Sequence, residues 1–226
     1  MRKPGGRQNL LSAFFGPAQV FIWKQRGSGS MRIILASGSP RRRELIQQAG
    51  IPAKICPARG KEVSTCKDPR DYAADLARHK AEEVAEGERE IPGNYCVIGA
   101  DTIVVSNRTI LGKPRDREDA RTILRSLQGH GHEVMTGVCL LYRKGEEERA
   151  LSFTEVSQVT VCPMTEEEIG RYVSTGEADD KAGAYGIQGA FGIYIAKIEG
   201  DYYNIVGLPI ARLYHTMRDA GLLPES

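Results

Sequence analysis

The sequence predicts an α/β fold, an elongated mixed sheet with two lobes around a central cleft. Three observations carry that expectation. Short apolar runs alternate with amphipathic segments from Met31 onward. Most of the amphipathic segments open on a helix-start signal: Ser39-Pro40, Asp68-Pro69, Asp116, and Thr165 with Glu168. Two long runs, 134–142 and 150–161, flank Lys144-Gly145 and read as an antiparallel hairpin, whereas the strand–helix–strand order before them calls for parallel pairing.

The elements follow in order. Strand 32–36 leads to a helix over 40–49, which Gly50 ends. A short strand near 53–57 is followed by a polar loop, 58–68. The helix from Pro69 runs to Gly87, with Tyr72, Leu76 and Val84 on one side and Lys80 on the same i, i+4 row as Tyr72 and Leu76. Residues 95–100 read as a buried strand, with Asp101-Thr102 after it. Ile103–Val105 is a further apolar run that turns at Asn107-Arg108 and returns over 109–111. Helices are expected from Asp116 to about Leu127, and from the Thr165 capping box to Ser174. A Gly-rich loop, 177–190, precedes strands expected near 191–198 and 202–206, and Pro209 opens a final helix to Gly221.

Composition narrows the function classes. The 226 residues are 41% hydrophobic and 27% charged, as in soluble globular proteins. The net charge of +2 hides an asymmetry: five of the 31 bases and none of the 29 acids fall in residues 1–30, so the remainder carries three more acids than bases. A body of that charge argues against a dedicated nucleic-acid binder. Residues 1–30 end in Gly-Ser-Gly-Ser, hold the only tryptophan, and read as a basic, disordered leader ahead of a domain over 31–226; Met31 stands where a start codon would. The five cysteines form no CxxC pair, and three of them (Cys56, Cys96 and Cys139) fall in apparent strands, which suggests reduced thiols in a cytoplasmic protein. No apolar run approaches the roughly 18 residues of a membrane span.

The chemistry concentrates in a few places. After the first strand comes Ser37-Gly38-Ser39-Pro40-Arg41-Arg42-Arg43. Cations in the first turn of a helix oppose its dipole, at a cost of roughly 0.3–1 kcal/mol each, unless an anion sits at the helix start. Serine hydroxyls, free N–H groups and guanidinium forks there make a phosphate-binding corner or, without a ligand, a solvated basic turn. Asp101 interrupts an apolar segment, where a carboxylate is costly unless paired or metal-bound; it reads as a metal ligand, a general base or a turn cap. Lys80 and Lys113 point into a site or simply snorkel to water. In 180–189, Lys181, Gln188 and several glycines suit a backbone wrapped round a ligand, with the glutamine amide reading a base edge. The P-loop, dinucleotide and nucleophile-elbow patterns are missing.

Six ordered segments carry a family resemblance: Leu-Ala-Ser-Gly-Ser-Pro-Arg-Arg (35–42), Gly-Ala-Asp-Thr (99–102), Ile-Leu-Gly-Lys-Pro (110–114), His-Glu-Val-Met-Thr-Gly-Val (132–138), Asp-Lys-Ala-Gly-Ala-Tyr-Gly-Ile-Gln-Gly (180–189) and Gly-Asp-Tyr-Tyr-Asn-Ile-Val-Gly-Leu-Pro (200–209). Together the chain resembles the Maf (septum-formation) proteins over about 32–218. The resemblance implies an inosine-triphosphatase-like α/β fold and a nucleoside triphosphate pyrophosphatase of the dTTP/UTP-preferring branch. It further implies a divalent cation (Mg²⁺ or Mn²⁺) and a homodimer. It makes Asp101 the proton acceptor, ties Arg41, Thr102 and Gln188 to substrate choice, and adds Glu62, Lys80 and Lys113 as further site positions. The expected site therefore has Asp101 and Glu62 at the metal, with Ser37, Ser39, Arg41, Lys80, Lys113, Lys181, Thr102 and Gln188 around the nucleotide. A nucleotide-binding regulator of cell division that turns nothing over, and a nucleic-acid module using the leader, are the rival readings.

Overall fold

In the computed structural model, residues 31–223 are described; the expected leader, 1–30, lies outside them. β1 (Arg32–Leu35) is followed by α1 (Pro40–Gln48), β2 (Ala53–Ile55) and α2 (Pro69–Arg89). Next come β3 (Tyr95–Ser106), β4 (Thr109–Leu111), α3 (Arg117–Leu127), β5 (Gly131–Lys144), β6 (Glu147–Val161) and α4 (Glu166–Ser174). β7 (Ile195–Glu199), α5 (Tyr202–Val206) and α6 (Ile210–Asp219) close the chain. The sheet is mixed, in the order β2-β1-β3-β5-β6-β7, with β4 paired to β3. β1 runs parallel to β2 and β3, and the remaining pairings are antiparallel.

Helices α1 to α4 start where side chains cap them. Ser39 accepts from the Arg42 N–H, Asp68 from Arg70 and Asp71, and Asp116 from Asp119. Thr165 and Glu168 form the reciprocal capping box. Asn107 and Arg108 both have positive φ (49° and 63°), as a two-residue hairpin of the primed type requires.

Two expectations are corrected. Asp101-Thr102 is not a strand end: β3 continues through both residues, because each pairs across to β5 (Gly137 and Thr136) without a break. Residues 202–206 are not a strand but α5. The Asp201 carboxylate accepts from the Tyr203 N–H and nucleates a helical turn that Gly207 (φ 127°) ends, and this local cap outweighs the β-propensity of the Tyr and Ile residues. Cys56 lies one residue beyond β2, while Cys96 and Cys139 are buried in strands as free thiols whose pKa burial pushes up.

β3 is the central element. It pairs with β5 from Tyr95 to Val105 on one side, but on the other β1 covers it only to Ile98 and β4 only from Val104. Between them the strand edge is open, and the site lies there. Alternate residues of β3 face opposite sides of the sheet. On one face, Ala73, Ala77 and Ala81 of α2 lie against Gly99 and Gly137. A Cβ at Gly99 would come within 2.0 Å of the Ala77 carbonyl oxygen, and one at Gly137 within 2.2 Å of that of Ala73. On the other face stand two apolar cores. One joins β1, α1, β3, β5 and α6 through Leu35, Ile98, Leu140 and Leu213; the other joins α3, α4 and the 178–194 segment through Leu124, Ile169 and Phe191. Each such fully buried side chain contributes about 1.5–3 kcal/mol.

Candidate active site

A cavity of about 800 Å³ opens at the gap in the sheet. The loop after β1, the Tyr72–Leu76–Lys80 row of α2, β3, the segment after β4, the 177–189 loop and the end of α5 all reach it. All ten residues expected at the site line it: Ser37, Ser39, Arg41, Glu62, Lys80, Asp101, Thr102, Lys113, Lys181 and Gln188.

At one end the charges gather. Asp101 projects toward α2, whose close seating on the two glycines brings Lys80 within reach. The Lys80 ammonium lies 2.6 Å from Asp101 Oδ1 and 2.6 Å from Glu62 Oε1, so one cation bridges two carboxylates from distant parts of the chain. The hydrogen bond from Lys80 holds Glu62 below the ordinary carboxylate pKa, with help from Lys113 and Arg42. Asp101 Oδ2 accepts no hydrogen bond from the described residues. Lys113 is exposed at the rim. Among the described residues no cluster of three or more His, Cys, Asp or Glu side chains forms a metal cage.

The serine–arginine corner is more interlocked than its sequence indicates. Ser37 Oγ accepts from the Ser39 N–H at 3.2 Å and from Arg42 Nη1 at 3.5 Å, and Ser39 Oγ caps α1. Both hydroxyls therefore shape the loop as acceptors and keep a hydrogen to donate. Arg41 lines the cavity within electrostatic reach of Asp180. Arg42, which sequence reasoning passed over, is turned inward: its Nε donates to the Gly207 carbonyl at 2.8 Å and its Nη2 to Thr102 Oγ1 at 2.9 Å. Burial lowers its pKa against the pull of Asp101. Nothing in three consecutive arginines distinguishes the middle one; its two shortest hydrogen bonds reach 60 and 165 residues away.

The other end is apolar. Val104, Val134, Ile187 and Ile205 line a slot, with Thr102 at its inner edge and Gln188 exposed at its mouth. Gln188 makes no hydrogen bond with another described residue. The loop carrying it is pinned from several sides. The Glu177 carboxylate accepts from the Ala190 N–H, and Lys181 Nζ donates to the Glu177 carbonyl and to Asp180, each at 2.7 Å. Ala184 holds a left-handed φ of 58°, and next to it Tyr185 meets His132 Nε2 at 2.7 Å. His132 is buried, which drives its pKa down to about 4. Glu177, which lines the cavity, was also missing from the expected site; its signal is tertiary.

Residues 32–220 match the model of a known family, described as Maf-like protein. The chain belongs to the Maf-like family. A dTTP/UTP pyrophosphatase of Agathobacter rectalis is 48% identical over 205 residues, covering 84% of this Maf-like chain and 98% of the relative. A dTTP/UTP pyrophosphatase of Koribacter versatilis is 51% identical over 194 residues, covering 85% and 96%. A solved nucleoside-triphosphatase / dITP/XTP pyrophosphatase of Mycobacterium abscessus superposes on 86% of the Maf-like chain and 98% of its own at a TM-score of 0.39 and 12% identity, an overlap too loose to argue from. Among the described residues no helix is long and apolar enough to cross a membrane.

Proposed function

We propose that this chain hydrolyses nucleoside triphosphates, dTTP and UTP before others, to the monophosphate and pyrophosphate. One observation carries the reading: a single cavity joins a cationic corner and a buried carboxylate to an apolar wall of Val104, Val134, Ile187 and Ile205. Near-full-length relatives named dTTP/UTP pyrophosphatase support it.

In this reading the start of α1, the Ser37 and Ser39 hydroxyls, Arg41 and Arg42 hold the triphosphate. Lys80, Lys113 and Lys181 offset the charge that develops on the leaving pyrophosphate. Asp101 takes a proton from water at its open Oδ2; the water oxygen bonds to the α-phosphorus, and the bridging bond to the β-phosphate breaks. Thr102 and Gln188 meet the pyrimidine edge. Asp101 and Glu62 fit a divalent cation such as Mg²⁺ or Mn²⁺: both are hard oxygen donors, both already face one positive charge, and a triphosphate supplies the remaining oxygens. When bound, such an ion supplies charge stabilisation at the phosphate and a more acidic water. The domain over 31–226 and the homodimer belong to the same reading; light scattering checks the latter.

The test is pyrophosphate release from a panel of nucleotides by the full chain, with Mg²⁺ and with Mn²⁺. Pyrophosphate and monophosphate in equal amounts, fastest from dTTP and UTP, are expected. Release of orthophosphate, or of nothing, overturns the proposal.

A further inference from the structure

Between the two apolar cores runs a short polar relay whose direction can be worked out atom by atom. Thr136 is fully buried on β5 and faces Thr102 across the β3–β5 pair. Its hydroxyl donates to the Asn204 carbonyl at 2.9 Å. That carbonyl is held in place because the Asn204 amide nitrogen donates to the Val134 carbonyl at 3.0 Å and to Ser157 Oγ at 2.9 Å. A hydroxyl carries one hydrogen and a carbonyl only accepts. The hydrogen of Thr136 is therefore committed, and the 2.9 Å bond between the two threonine oxygens runs from Thr102 to Thr136. Arg42 has only donors, so the 2.9 Å bond from its Nη2 also uses Thr102 as acceptor. Thr102 thus spends its hydrogen inward and keeps one lone pair for the cavity.

We infer that Thr136 is a positioning residue for base choice: it locks the Thr102 hydroxyl as an acceptor toward the bound base. The inference rests on the pyrophosphatase reading and adds a mechanism of discrimination to it. An acceptor-only hydroxyl beside the slot of Val104, Val134, Ile187 and Ile205 suits a base whose ring nitrogen N3 carries a hydrogen, as in uracil and thymine. Cytosine presents a bare N3, so two lone pairs face each other, and a polar contact is lost in a partly desolvated slot. The polarity is set one residue behind the contact, by a side chain that never touches the nucleotide.

The experiment compares kcat/KM for UTP and CTP in the full chain, in Thr136→Val and in Thr136→Ser. The quotient cancels any general loss of activity. Thr136→Val is close to isosteric and frees the Thr102 hydrogen to rotate toward the cavity, so the UTP/CTP ratio is expected to fall by about tenfold or more. Thr136→Ser keeps the hydroxyl and is expected to keep the ratio. A folded Thr136→Val variant with the wild-type ratio, or a serine variant that loses as much as the valine one, overturns the inference. A second measurement needs no variant: on the wild-type chain, 3-methyluridine triphosphate is expected to fall to the level of CTP, and parity with UTP overturns the inference. Calorimetric binding of non-hydrolysable UTP and CTP analogues reads the same preference without turnover. No pyrophosphate release with that preference intact would therefore sink the pyrophosphatase reading and leave the polarity of Thr102 standing.

Discussion

The two ends of the cavity are built on different physics. At the charged end, side chains from three distant segments, Glu62, Lys80 and Asp101, meet in 2.6 Å ion pairs, and what brings them together is a backbone approach that only Gly99 and Gly137 permit. At the apolar end, the slot is shaped by packed aliphatic side chains, and its few polar atoms are oriented by directed hydrogen bonds through Thr102, Thr136, Asn204, Tyr185 and His132. In the proposed reading the charged end serves rate and the apolar end choice. Coulombic attraction between ions varies only gradually with angle, whereas discrimination needs donors and acceptors held in one orientation.

Changes at the charged end should strike turnover first. Asp101→Asn keeps the shape and removes the base, so kcat for dTTP is expected to fall by at least about a hundredfold while the melting temperature holds. Near-normal turnover would take Asp101 out of the mechanism and erase the contrast between the ends.

Mild acid should strike the apolar end first. His132 has a folded pKa of about 4 against an ordinary 6.5. Between those values the unfolded chain binds a proton that the folded chain refuses, so stability drops as pH falls from 6.5 towards 4, by about 3 kcal/mol in all. Glu62 acts later: its pKa lies below the ordinary 4.5, so its contribution is whole above about 4.5 and is lost as pH falls from there towards its folded pKa. Thermal melts from pH 7 to 4 check this, with His132→Gln as control. A wild-type slope that survives in the variant would remove His132 from the account.

A smaller effect is expected from Gly137→Ala, whose new methyl would press on the Ala73 carbonyl and lift α2. A loss of about 1–3 kcal/mol in denaturant unfolding is expected, with turnover lowered and the dTTP/dCTP preference kept. A change in base preference instead would show that the two ends are coupled. The mildest is Arg41→Ala. Arg41 has no hydrogen bond from its guanidinium to another described residue, so its loss is expected to raise KM about tenfold with kcat little altered, the signature of a phosphate contact made equally in both states. An unchanged KM would return Arg41 to the solvent-exposed surface.

Much of the local structure was legible because its causes are local. Ser39-Pro40, Asp68-Pro69, Asp116 and the Thr165–Glu168 box each place a helix start by bonds that span two or three residues. The same local signal was overlooked at Asp201, where one carboxylate turns an apparent strand into α5. Lys80 could be put on the Tyr72–Leu76 row from spacing alone, but whether that row met solvent or a site depended on how deeply α2 sinks onto the sheet.

By itself the amino-acid order determined the alternation of elements, the caps, the cationic loop and the isolated carboxylate, since each depends on neighbours a few residues away. The tertiary structure alone decided which of three successive arginines turns inward, that one lysine joins two carboxylates, and that a threonine hydroxyl is left with a lone pair to offer. Those outcomes hang on partners tens of residues distant. Helix rotation and strand alternation present the possible side chains, and only the packing of other segments selects among them.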